Sequence, residues 1–202
     1  FDMKNRELTM AGFSLSQEAG KPRVAGSDAL GGYDTNFTQQ GTVATRLSKV
    51  VSTLCTAIIN VPILKDHKIV GVTAAMKNYF GVIDNPNKYH GNHGDPHVAD
   101  VYSIPVIRGK ERLIICDALN ASFEGGPAYE PKGVWRPSCL LMATDPVAHD
   151  YVAWLMVEAE RQRRGLQPLA NEGRSPKYLL TAANAGLGSK SPRVIDLQPQ
   201  AA

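Results

Sequence analysis

Apolar positions fall along this chain in short blocks separated by polar, glycine-rich stretches, and the spacing inside each block predicts an element. Ala57-Ile58-Ile59-Asn60-Val61 is a nearly continuous apolar run, the pattern of a buried parallel strand, and Pro62 stops it. Arg112-Leu113-Ile114-Ile115-Cys116-Asp117 and Cys139-Leu140-Leu141-Met142-Ala143 predict two further strands, and Val194-Ile195-Asp196-Leu197 a last one. Helical spacing links Leu47, Val50, Val51 and Leu54. A helix is predicted over Val72 to Phe80 with Gly81 just past its end, and another from Val98 toward Ile107, interrupted at Pro105. Thr144-Asp145-Pro146 is the clearest helix start, a capping Asp followed by Pro at the first helical position. Val147, Ala148, Tyr151, Val152, Leu155 and Met156 then give that helix one apolar face. Ser175-Pro176 repeats the signal, with Gly186 as the stop, and Asp2 is placed to cap a short helix through Ala11-Gly12. Residues 20–42 read as loop with a short strand around Val24, and residues 84–97 and 120–137 as further loops.

Strands alternating with helices predict an α/β layered fold in which a mainly parallel, Rossmann-like sheet is flanked by helices. Neither an internal repeat nor a composition break divides the chain, so residues 1–202 read as a single domain. The chain opens at Phe1 in mid-element, which is expected of the carboxyl-terminal portion of a longer precursor.

Composition narrows the function classes. A hydrophobic content of 43% with 20% charged residues is that of a globular domain, and a net charge of +3 gives no footprint for nucleic acid. The short run Arg161-Gln162-Arg163-Arg164 reads as cations at the negative pole of a helix. Cys55, Cys116 and Cys139 are widely spaced, with no Cys-x-x-Cys pair, so no iron–sulfur cluster or zinc finger is expected within the chain. One disulfide stays open if the compartment is oxidising. No apolar stretch approaches the roughly 18 residues that span a bilayer, so no transmembrane segment is expected.

Candidate chemistry concentrates between Asn60 and Asp100, which hold four of the five histidines. In parallel α/β sheets ligands gather at the carboxyl ends of strands. Three such ends carry polar groups: Lys65-Asp66-His67, Asp117 and Asp145. If the strands are neighbours, these residues converge. Asp66 and His67, with His90 and His93 from the following loop, are candidate ligands for a divalent metal. Lys65, Lys77 and Asn78, beside a helix starting near Gly71-Val72-Thr73, suggest a site for a small anionic ligand. Lys65 and Asp117 are the candidate catalytic groups, a base or an orienter of the site. Asp145 has a competing role as a helix cap, which needs no ligand.

Asn60-Val61-Pro62-Ile63-Leu64-Lys65-Asp66-His67 and Gly71-Val72-Thr73-Ala74-Ala75-Met76-Lys77-Asn78 resemble the bacterial and archaeal family called domain of unknown function 362. So do Ile115-Cys116-Asp117-Ala118, Gly125-Gly126-Pro127 and Thr144-Asp145-Pro146-Val147-Ala148-His149-Asp150. The resemblance runs roughly from Phe1 to Gly188. It implies a chain longer at the amino end and, for members without an appended ferredoxin-like module, twin-arginine export to a periplasmic or extracytoplasmic home. This chain lacks the cysteines of that module, and the resemblance implies no established reaction. The leading function class is therefore a metal- and anion-binding domain, enzymatic or not, and the second an accessory subunit of a larger redox or membrane-associated complex. The second would use Tyr33, Phe37, Phe123, Tyr129 and Trp135 as aromatic anchors for a protein partner or oligomer. An electron-transfer protein with its cluster elsewhere is a third.

Overall fold

One strand organises the molecule, and it is twice as long as its apolar run predicts. The computed structural model describes residues 4–15 and 24–193. Strands β1 (Thr38–Gln40) and β2 (Val43–Thr45) form a separate antiparallel pair. β3 (Ile58–Asn60), β4 (Ile63–His67), β5 (Gly71–Thr73), β6 (Glu111–Ser122), β7 (Val134–Trp135) and β8 (Cys139–Ala143) make one six-stranded sheet. β6 is its hub. β3 and β4 pair with it in parallel, β7 and β8 antiparallel, and β5 is attached to β4 in antiparallel register. The helices are α1 (Asn5–Met10), α2 (Ala75–Asn78), α3 (His97–Ser103), α4 (Pro105–Lys110), α5 (Pro146–Arg163) and α6 (Tyr178–Asn184). The predicted α/β layering is the observed architecture.

Alternation along β6 divides the sheet into two faces. Ile114, Cys116 and Ala118 are fully buried in the core, and α5 packs against β4, β5 and β8. On the other face Ile59 stands opposite Leu113, Ile63 opposite Asp117, and Met142 and Leu140 opposite Ile115 and Asp117. Ile59, Ile63, Leu140 and Met142 there are exposed. Burial holds the Cys116 thiol up at about 12, and all three cysteines are free.

Several elements depart from the pattern for visible reasons. Gly71-Val72-Thr73, predicted as the start of a helix, is instead strand β5, joined to β4 by the turn Lys68-Ile69-Val70. His67 closes that turn, its Nδ1 accepting from the Ile69 and Val70 amides at 3.1 and 3.3 Å. Gly71 takes φ +88°, and a Cβ there would collide with the Arg174 carbonyl, so only glycine fits. Helix formation is delayed to α2, whose first amides are capped by the Asp150 carboxylate, Ala75 N at 2.7 Å and Met76 N at 2.9 Å. Pro105 opens a new helix rather than ending the structure. Leu47 to Leu54 yields one π-helical turn, Val50–Leu54. No strand forms at Val24. Asp2 and the segment Val194 to Leu197 lie outside the described residues. Among the described residues no helix is long and apolar enough to cross a membrane.

Candidate functional site

The β4–β5 hairpin places a lysine, a histidine and a threonine on one face. Neighbouring side chains on a strand point to opposite sides, so Lys65 and His67 share a face and Asp66 takes the other. Lys65 stands directly opposite Thr73 and His67 opposite Gly71, a relation that brings paired Cβ atoms to about 5 Å. Lys77 enters from α2, is 7% exposed, and holds its ammonium 3.6 Å from the centre of the Phe80 ring. The 3-10 segment Pro86–Gly94 supplies His90, which stacks on His67 with ring centroids 5.4 Å apart and meets Phe80 edge-on at 5.5 Å.

These groups are all basic and they repel one another. Burial, followed by the Lys65 charge, pushes the Lys77 amine down to about 7. Burial also lowers Lys65, with Asp66 partly restoring it. His67 is driven down to about 3, first by burial and then by Lys77, His90, Lys65 and Lys68. Because its Nδ1 accepts from two backbone amides, its neutral ring carries the proton on Nε2, where it is a donor. His90 is lowered by burial and by Lys77, while the Asn87 and Pro86 carbonyls oppose that shift. Neither Lys65 nor Lys77 makes an ion pair with an acid among the described residues; the pairs found there join arginines and His149 to carboxylates. The buried Thr73 hydroxyl beside Lys65 has no hydrogen-bond partner among the described residues.

The other expected site residues are held elsewhere. Asp66, fully buried, accepts from Ser122 Oγ and the Gly126 amide at 2.8 Å each and pairs with Arg174 at 3.0 Å. Burial raises its pKa, and those donors act against the rise. His93 Nδ1 lies 3.2 Å from the Ile69 carbonyl. Of the four residues expected to share a metal, His67 and His90 stack on each other while Asp66 is committed to Arg174 and His93 to the Ile69 carbonyl, and among the described residues no three of His, Cys, Asp and Glu gather into a metal-binding group. Asp117 is not at a strand end but midway along β6, accepting from the Leu119 amide at 2.8 Å. Asp145 caps α5 through the Ala148 amide at 2.8 Å and also accepts from Ser189 N at 2.8 Å. Since β8 runs antiparallel, its carboxyl end lies beside Ile114, while Lys65 pairs with Ser122 at the far end of β6. The predicted convergence therefore fails for Asp117 and Asp145. Asn78 donates to Asn60 Oδ1 at 2.8 Å, in a network where Asn60, Tyr79 and Tyr102 all donate to the Glu111 carboxylate. Of the aromatic anchors, Phe123 is buried against Trp135, whereas Phe37 and Tyr129 are exposed.

Three supporting residues escape a sequence reading. Thr73 falls inside a predicted helix, although Val72 and Thr73 are β-branched and favour a strand. Arg174 reaches Asp66 across 108 residues and also binds Glu124 at 2.6 Å and Glu172 at 2.5 Å. Arg161, read as a helix-end cation, is fully buried, donates to the Phe123 and Gln167 carbonyls, and pairs with Glu124 and, at 2.7 Å, with Glu172. Nothing local in the sequence signals either arginine's partners. His149, left open between surface and core, is buried with Nδ1 2.8 Å from Asp150.

An α/β domain with an unneutralised basic cluster beside a β-hairpin is thus defined by its own geometry. The family model described as Domain of unknown function (DUF362) matches residues 18–154, more than half of the chain, and the chain belongs to that family. The matched span contains the whole cluster, while Arg174 lies beyond it. No curated protein and no solved structure matches the chain.

Proposed function

We propose that this domain binds a small oxyanion, held by Lys65, the Thr73 hydroxyl and the Nε2–H of His67, with Lys77 adding its charge when protonated. The observation that carries the reading is Lys77 itself, an almost fully buried amine beside a second lysine and without an acidic partner among the described residues. Burying unpaired like charges is costly, and an anion between them removes the cost. The unsatisfied Thr73 hydroxyl and the His67 donor supply the neutral hydrogen bonds that orient an oxyanion. A divalent metal is no part of this reading, because Asp66, the one carboxylate among the expected ligands, is bound to Arg174.

The sign of the pH dependence follows from Lys77. Its folded-state pKa is depressed to about 7, so the charge that attracts an anion is present below that pH and lost above it. Lys65, also depressed, acts in the same direction. Sulfate keeps its charge throughout this range and is the suitable probe. Calorimetric titration is expected to show sulfate binding roughly tenfold tighter at pH 6 than at pH 8, the ratio of protonated Lys77 at the two values. Absence of binding at pH 6 would remove the proposal.

A further inference from the structure

We infer that Lys77 is a nucleophile that condenses with the carbonyl of a short 2-oxo carboxylate whose carboxylate group rests on Lys65 and Thr73. The inference rests on the anion site proposed above and names its substrate class. Two lysines in one buried cluster invite different tasks. Lys65 is half-buried and lies directly opposite Thr73, whose hydroxyl is unsatisfied among the described residues. Lys77 sits deeper, with its nitrogen over the Phe80 ring and no acid among the described residues to keep it protonated. A lysine desolvated beside another cation is the standard route to an amine that is free at neutral pH, and the value of about 7 agrees with that geometry. The groups facing Lys77 are Lys65 and His67 from β4 and His90 from the 3-10 segment, all basic. The ligand must be short, because Thr73, His67 and Lys77 are each less than a tenth exposed. It must carry its carbonyl next to its anionic group, because the anion-holding lysine and the free amine belong to one cluster.

The chemistry balances without an oxidant or reductant. The Lys77 nitrogen lone pair attacks the carbonyl carbon, a C–N bond forms, and the C=O π electrons move to oxygen. A proton passes from nitrogen to that oxygen, giving a carbinolamine. The hydroxyl then leaves with a second proton as water, and the nitrogen lone pair forms the C=N bond of an imine. The Nε2–H of neutral His67 is the donor available to the carbonyl oxygen as charge develops on it.

The test treats the protein with pyruvate and cyanoborohydride at pH 6, 7 and 8, followed by peptide mass mapping, with sulfate titration in parallel. The expected result is a reduced adduct on the peptide carrying Lys77, in yield that rises with pH, while sulfate affinity falls over the same range. Excess sulfate should suppress the adduct at pH 6. Lys65→Ala should lower the yield at limiting pyruvate by tenfold or more while leaving circular dichroism unchanged. Labelling spread over exposed lysines such as Lys88 and Lys190, or no Lys77 adduct in a protein that binds sulfate, overturns the nucleophile and leaves the anion site standing. Loss of both sulfate binding and adduct overturns both.

Discussion

Replacing Lys77 by methionine is expected to make the protein more stable at pH 6 to 7, by on the order of a few kcal/mol, and to abolish stabilisation by sulfate. The substitution keeps an unbranched apolar stem against Phe80 and removes a buried charge with no acidic partner among the described residues. The direction follows from linkage. In the unfolded chain Lys77 titrates near 10.5, in the folded protein near 7, so between these values the unfolded state holds the extra proton and native stability rises with pH. Below about 7 the ammonium is charged in both states and its burial cost is fully present. The advantage of the methionine variant should therefore be largest at pH 6 and shrink toward pH 10. Thermal unfolding of both proteins across that range, with and without sulfate, measures it. A variant that is less stable at pH 6 would mean that Lys77 has an acidic partner in solution.

Arg174→Met carries the second large effect, in the opposite direction. Asp66 is fully buried and its Oδ2 meets the Arg174 guanidinium, while Oδ1 takes the Ser122 hydroxyl and Gly126 amide. Removing the arginine leaves a carboxylate with no cation to pair with, a loss of about 3–5 kcal/mol for a buried pair broken on one side. Glu124 and Glu172 lose a partner too, but both are partly exposed and retain Arg161. Adding Asp66→Asn should recover part of the loss, since the neutral amide no longer needs the charge. Denaturant midpoints for the single and double variants decide it, and a loss below about 1 kcal/mol would make the pair incidental. Because β4 carries Asp66 on one face and Lys65 and His67 on the other, the unpaired variant should also weaken sulfate binding.

What the sequence disclosed was local, and what it hid was long-range. The strand Cys139–Ala143 and the Asp145-Pro146 cap were legible because each is written in consecutive residues. The α/β layering followed from the order of such blocks. The direction of β8 was not legible, since an apolar run looks the same whichever way its strand runs, and that single reversal carries Asp145 to the wrong end of β6. Lys65-Asp66-His67 was legible as a candidate site, but the division of its side chains between two faces was not. Only the strand geometry separates them, with Lys65 and His67 toward the cluster and Asp66 committed to an arginine 108 residues away. β4 and β5 themselves were hidden by their polar content, because the hairpin is closed by an imidazole acceptor and a positive-φ glycine rather than by a recognised turn sequence. Lys77 was legible as a candidate for holding an anion. Its depression to about 7 was not, because that comes first from burial that only the packed structure creates and then from Lys65 on another element.

On the proposal made above, Lys65, Thr73, His67 and Lys77 form a seat for a small oxyanion. Its most direct test is a crystal grown at pH 6 in the presence of selenate, with data collected at the selenium edge. An anomalous peak is expected within hydrogen-bonding distance of the Lys65 and Lys77 ammonium groups, the Thr73 hydroxyl and His67 Nε2. No peak there, with both lysines instead bonded to carboxylates of the protein, would contradict it.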